Sequence, residues 1–178
     1  MAKKLFTTIY GRNLVGELKN IVQRPYLVVT MEDLWDRFKD EFDDDCIVHF
    51  VKTLEYDEIM AEVERLPKFE AVIGLGGGQA VDYAKMAAWK THMPLYQVPT
   101  SIATNAVFGH RAGVRFDSVV RYVGYVEPVA VYVCLLYTSK RSIKSLFCGE
   151  SWGWRHSACL LLCSFCLCRT KRWAEATP

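Results

Sequence analysis

The segment VIGLGGGQAVDYAK, residues 72–85, constrains the fold more than any other stretch of this 178-residue chain. A run of aliphatic residues passes directly into Gly76-Gly77-Gly78 and then into helix-forming sequence. Glycine loses more backbone freedom on folding than any other residue, so three in succession need a physical reason. Either the turn demands dihedral angles that only glycine adopts, or something outside the chain must approach the backbone closely. A strand that ends in glycines and opens a helix leaves the first helical N–H groups unpaired at the positive end of the helix dipole, which suits an anion. The spacing is not G-x-G-x-x-G, because Gln79 stands where the third glycine would be, and no Lys-Ser/Thr pair follows to make a P-loop.

The flanking sequence alternates two periodicities. Residues 13–23 place Leu14, Leu18, Ile21 and Val22 on one helical face, and residues 32–42 do the same with Leu34, Phe38 and Phe42 beside Trp35. Residues 57–66 and 79–90 read as two further helices. Between them lie short aliphatic runs at 26–30, 46–51, 70–75 and 95–98. Strands alternating with helices of about ten residues predict βαβ units around a parallel sheet, and continuous apolar strands fit a sheet covered on both faces. After Pro99 the pattern changes: residues 114–126 read as a hairpin turning near Asp117-Ser118, and 129–133 as one more strand.

Periodicity then stops. Residues 135–178 contain no aspartate, only Glu150 and Glu175 as acids against seven Lys and Arg, and five of the seven cysteines. The longest apolar stretch, 158–168, is shorter than the roughly 20 residues a bilayer-spanning helix needs. The first residues carry no long apolar core of a secretory signal. The expectation is a cytoplasmic chain in which disulfides are not the default, with no membrane and no nucleic acid among its partners. Residues 1–134 are read as one domain, and residues 135–178 as an aberrant Cys-rich tail. Two readings of the tail stand. The preferred one is an out-of-frame or artefactual translation that terminates a fragment. The other is a metal-binding appendix built from Cys159, Cys163, Cys166 and Cys168, whose C-x-x-x-C-x-x-C-x-C spacing is not a usual zinc pattern.

GLGGGQAVDYAK, followed by a strand and then by VPTSIATNA at 98–106, resembles the superfamily of iron-containing alcohol dehydrogenases, glycerol dehydrogenases and glycerol-1-phosphate dehydrogenases, to which the dehydroquinate synthases are related. The matching residues are Gly76, Gly77, Gly78, Asp82, Ala84-Lys85, Pro99-Thr100 and Thr104. The resemblance runs from about Tyr26 to Val133. It implies an α/β fold, a Rossmann-like parallel sheet with flanking helices that binds NAD or NADP, whose helical metal-binding second domain is absent or truncated here. The glycine loop, with Asp82, Thr100 and Thr104, would hold the cofactor. For Asp82 the alternative is a first-turn acid that favours the helix dipole without any ligand, and Lys85 reads as a solvated or structural helix charge. Asn105 stands where glycerol dehydrogenases carry an aspartate near the substrate, which leaves glycerol itself an open question. Glu32 or Asp33, after the strand at 26–30, could take a ribose hydroxyl, although acids are common at helix starts. His110 and Arg111 could contact substrate, but a surface pair is the plainer reading.

In that superfamily the second domain supplies an aspartate and histidines to iron or zinc, which acts as a Lewis acid while hydride passes to the nicotinamide. The corresponding region here has His156, no aspartate and no later histidine, so the chain by itself is expected to be inactive. Three functions follow from the resemblance: a metal-dependent oxidoreductase acting on a small alcohol or polyol, a non-catalytic dinucleotide-binding remnant, and a dehydroquinate-synthase-like lyase. The lyase is disfavoured because the loop at 99–106 lacks an aspartate-containing sequence. A homo-oligomer is left open.

Overall fold

The computed structural model describes residues 7–101 and 105–134. Thr104, His156 and everything expected of residues 135–178, the tail cysteines included, lie outside the described residues. In chain order the first half comprises β1 (Thr7–Gly11), α1 (Leu14–Ile21), β2 (Tyr26–Thr30), α2 (Glu32–Trp35), β3 (Ile47–Phe50) and α3 (Tyr56–Arg65). The second half comprises β4 (Ala71–Gly76), α4 (Gly78–Thr91), β5 (Leu95–Pro99), β6 (Ala112–Phe116), β7 (Val119–Val123) and β8 (Ala130–Cys134). Six of the strands form one sheet in the order β1-β8-β5-β4-β2-β3, every neighbouring pair parallel. The expected α/β architecture with a parallel sheet and flanking helices is therefore present.

The central strands explain why the sheet is covered on both faces. Every residue of β2 and of β4 is buried. Successive side chains point to opposite faces, so Leu27, Val29 and Val72 pack beneath α3 and α4. Tyr26, Val28, Ile73 and Leu75 pack on the other face with α1, Phe38 and Phe42. Helix α4 is buried along most of its length, and its small residues let it lie close to the sheet. A Cβ added to Gly74 would come within 2.8 Å of the Ala84 Cβ, so this glycine is a packing requirement of the strand–helix contact.

Outside the sheet, β6 and β7 pair antiparallel. Asp117 and Ser118 connect them with φ of 49° and 67°, the double positive-φ turn whose twist matches a tight hairpin. The hairpin and its turn fall where the sequence places them.

Two elements depart from expectation. Residues 32–42 do not form one helix: α2 ends at Trp35 and a short 3-10 turn follows at Lys39–Glu41. The cause is aromatic packing. Phe42 stacks on Trp35 with ring centroids 5.5 Å apart, whereas seven residues of straight helix would separate these positions by about 10 Å. The second departure is β1, which the sequence does not announce. Among the described residues it is an edge strand, partly to fully exposed, whose one partner in the sheet is β8.

Candidate functional site

The strand order fixes where a ligand can lie. From β2 the chain moves outward to β3, whereas from β4 it moves the opposite way to β5. The loops after these adjacent strands therefore diverge and leave a crevice above their C-terminal ends, the usual binding position in an open parallel sheet. The glycine turn sits there, between β4 and α4.

The three glycines have different reasons to be present. Gly76 has φ of +150°, which side chains rarely adopt, and a Cβ on it would meet the Ala80 Cβ at 2.8 Å. That glycine makes the turn. Gly77 has φ −81° and ψ −166°, extended backbone open to any residue, and, its chain neighbours aside, no atom of the described residues lies within 4 Å of the position its Cβ would take. Neither conformation nor packing among the described residues requires glycine at 77, so the second of the two sequence explanations remains: space kept clear beside the backbone. Gly78 is the first residue of α4. The first intrahelical hydrogen bond runs from the Val81 N–H to the Gly77 carbonyl at 3.1 Å. The N–H groups of Gly78, Gln79 and Ala80 precede it, and Gly77 as cap has no side chain to receive them. An anion held there would meet three donors and the positive end of a 14-residue helix.

Thr100 is brought to the same turn, its N–H donating to the Gly76 carbonyl at 3.0 Å. Thr30 closes β2 at the crevice. Its hydroxyl is fully buried and has no hydrogen-bond partner among the described residues; sequence reasoning passed over it because a threonine ending a strand is unremarkable locally. Glu32 and Asp33 are exposed in the first turn of α2 beside that strand end.

A cavity of about 650 Å³ adjoins the start of α4, walled by Gly78, Asp82, Asn105, His110, Arg111 and Tyr122 among others. Asn105 is exposed and opens a short 3-10 turn, Asn105–Phe108. His110 is half-buried and Arg111 exposed; both line the cavity, and the His110 ring packs against Tyr125 with centroids 5.2 Å apart.

Asp82 needs a correction. Helix α4 begins at Gly78, so Asp82 is its fifth residue and not a first-turn acid. What holds it is a specific set of partners. The Lys85 ammonium lies 3.1 Å from Asp82 Oδ1, and the Gly113 N–H also bonds the carboxylate. Burial pushes the Asp82 carboxyl above its ordinary pKa, while Lys85 and the Gly113 N–H pull it back. For Lys85 the structural reading holds and the solvated one does not. It is 1% exposed, and besides Asp82 it donates to the Ala106 carbonyl and, at 3.1 Å, to the Arg111 carbonyl. Burial lowers its pKa and Asp82 opposes that shift.

Among the described residues no group of three or more His, Cys, Asp or Glu side chains could hold a metal ion, and no helix is long and apolar enough to cross a membrane. The metal of the resembling superfamily therefore finds no fitting ligands among these residues. The cleared backbone at Gly77 does fit a dinucleotide phosphate.

Comparison with known proteins bears on the family and the fold. Glycerol-1-phosphate dehydrogenase [NAD(P)+] of Pyrococcus furiosus is 26% identical over 136 residues, covering 69% of this chain and 39% of that enzyme. The enzyme of the same name from Methanosphaera stadtmanae is 38% identical over 65 residues, covering 36% of this chain and 19% of that enzyme. Among solved structures, a probable glycerol dehydrogenase from Sinorhizobium meliloti superposes with a TM-score of 0.63 at 20% identity, over 75% of this chain and 41% of that one. Sulfoacetaldehyde reductase from Bifidobacterium kashiwanohense, in complex with NAD+, gives 0.64 at 19% identity, over 76% of this chain and 46% of that one. These superpositions show a shared fold, and the chain spans less than half the length of each of these proteins. The iron-containing alcohol dehydrogenase family itself matches residues 22–135, more than half of the sequence, and the chain belongs to that family.

Proposed function

We propose that residues 1–134 form the dinucleotide-binding domain of an NAD(P)-dependent, metal-dependent oxidoreductase that acts on a small alcohol or polyol in the cytoplasm. The observation that carries this reading is the open space at Gly77, a position where nothing among the described residues asks for glycine. In this reading the pyrophosphate lies on the N–H groups that begin α4, against Gly76, Gly77 and Gly78, with Thr100 and Thr104 on the neighbouring loop. The nicotinamide end of the cofactor extends toward Asn105 and the cavity beside it. The bound cofactor would supply the hydride acceptor. The chain's own residues bind its phosphates and orient it, and no step is assigned to a metal, because the described residues offer none a site. Support also comes from relatives whose names specify NAD(P)+ and from the NAD+ complex of a protein with this fold.

The test is a fluorescence titration of the 178-residue chain with NADH, alongside Gly77→Val. The parent chain is expected to saturate. The variant is expected to lose binding while keeping its far-UV spectrum, because a branched side chain would occupy the cleared space. Equal titrations for both proteins would remove the glycine turn from consideration.

A further inference from the structure

Lys85 is the most deeply buried charge among the described residues, and two of the three groups around it are brought by topology and not by local sequence. Its ammonium has three N–H donors and three acceptors: Asp82 Oδ1, the Ala106 carbonyl and the Arg111 carbonyl. The two carbonyls bracket the segment that carries Ala106, Gly109, His110 and Arg111, all four of which line the cavity. Asp82, which Lys85 holds on the same face of α4, in turn receives the Gly113 N–H at the start of β6. A helical side chain slants toward the N-terminus of its helix, so Lys85 reaches back toward the glycine turn and ties that end of α4 to the cavity's opposite wall.

We infer that Lys85 is a positioning residue: it sets the 105–111 segment against the start of α4 and thereby fixes the nicotinamide end of the cavity relative to the glycine turn. At 1% exposure it cannot itself touch a ligand, so it acts through Asp82 and the two carbonyls. The inference rests on the dinucleotide reading, and it separates two parts of the ligand. The phosphates lie on the N–H groups that begin α4, which do not depend on Lys85. The far end of the ligand enters a cavity whose wall does.

The experiment compares ADP, which reaches the glycine turn alone, with NADH, which also reaches the cavity, on the full chain and on Lys85→Met. The variant is expected to bind NADH about tenfold more weakly, about 1.4 kcal/mol, and to bind ADP within about twofold of the parent. A lysine that merely stabilised the fold would shift both ligands equally or neither, and either outcome overturns the inference. If Lys85→Met fails to fold because Asp82 is left as an uncompensated buried charge, the same comparison is made between the parent and Asp82→Asn/Lys85→Met, in which neither charge remains. A parent chain that binds neither ADP nor NADH overturns the dinucleotide reading, and this inference with it. That outcome is distinct from a parent that binds both ligands and a variant whose NADH-to-ADP ratio does not change.

Discussion

The imidazole of His49 lies on the ring of Tyr83, centroids 4.5 Å apart and planes inclined by 28°, so that β3 and α4 meet through an aromatic pair. Glu62 of α3 joins it, accepting the Tyr83 hydroxyl proton at 2.8 Å and standing 3.3 Å from His49 Nε2, an ion-pair distance without hydrogen-bond geometry. Burial holds the His49 pKa below its ordinary value, with Glu62 working against that shift and Lys52 adding to it. The unfolded chain therefore binds the proton more readily than the folded one between the lowered value and about 6.5. Stability is complete above that window and falls as the pH drops through it. His49→Gln is expected to flatten the decline of the urea midpoint from about pH 7.5 to about pH 5.5. A decline as steep as in the parent would assign the pH sensitivity to other groups.

Gly76 and Gly77 are neighbours with opposite requirements, and stability separates them. Gly76→Ala places a Cβ against Ala80 at a φ that side chains rarely adopt, and should cost on the order of 1–3 kcal/mol. Gly77→Ala meets open space in extended backbone and is expected to leave the urea midpoint unchanged or slightly raised. Equal losses would show that Gly77 is structural after all.

Tyr26 anchors the loop before β3. Its hydroxyl donates to Asp43 Oδ2 at 2.9 Å and accepts the Asp43 N–H at 3.2 Å, while Arg24 pairs with the same carboxylate at 2.8 Å. Burial pushes its phenol up to about 12. Tyr26→Phe is expected to cost about 1–3 kcal/mol through the partners left unsatisfied, read from chemical denaturation. A cost near zero would mean that water replaces the hydroxyl.

Ile73 is fully buried in the middle of β4, and Val119 is 58% exposed on the hairpin. Ile73→Ala should cost about 2–5 kcal/mol, and Val119→Ala about 0.5 kcal/mol or less. If the two costs were similar, the hairpin would be covered in solution.

Among the described residues the histidines are dispersed: His49 on β3, His92 exposed after α4, and His110 against Tyr125. Addition of Fe²⁺ or Zn²⁺ to the 178-residue chain is expected to give no polyol oxidation above a no-enzyme control. Turnover abolished by a chelator would place a working metal site in this chain.

The parts of the fold legible in the sequence are those specified locally. The buried runs at 26–30 and 95–98 become β2 and β5, and Asp117-Ser118 makes the hairpin turn because positive φ suits small polar residues. What the sequence hides is decided at a distance. Strand β1 exists because Thr7–Gly11 finds Ala130–Cys134. Lys85 is buried because the carbonyls of Ala106 and Arg111, 21 and 26 residues onward, come to meet it. The glycine triplet marks the site, but only its surroundings show that Gly76 serves the turn and Gly77 the space beside it.

The pairing of β1 with β8 has a consequence for how the chain is made. Thr7 faces Ala130 in the register, so the first of the described strands must wait until the chain has been made as far as Ala130 before its partner exists. At about 5–20 residues per second, that wait lasts on the order of 6–25 seconds, against hairpin formation in about 1–10 microseconds. The inner strands β2, β4 and β5 can assemble during that interval while β1 trails with its backbone groups unpaired. Of the described strands the first in the chain thus joins the sheet late, and chaperones that recognise extended segments have long access to Thr7–Gly11.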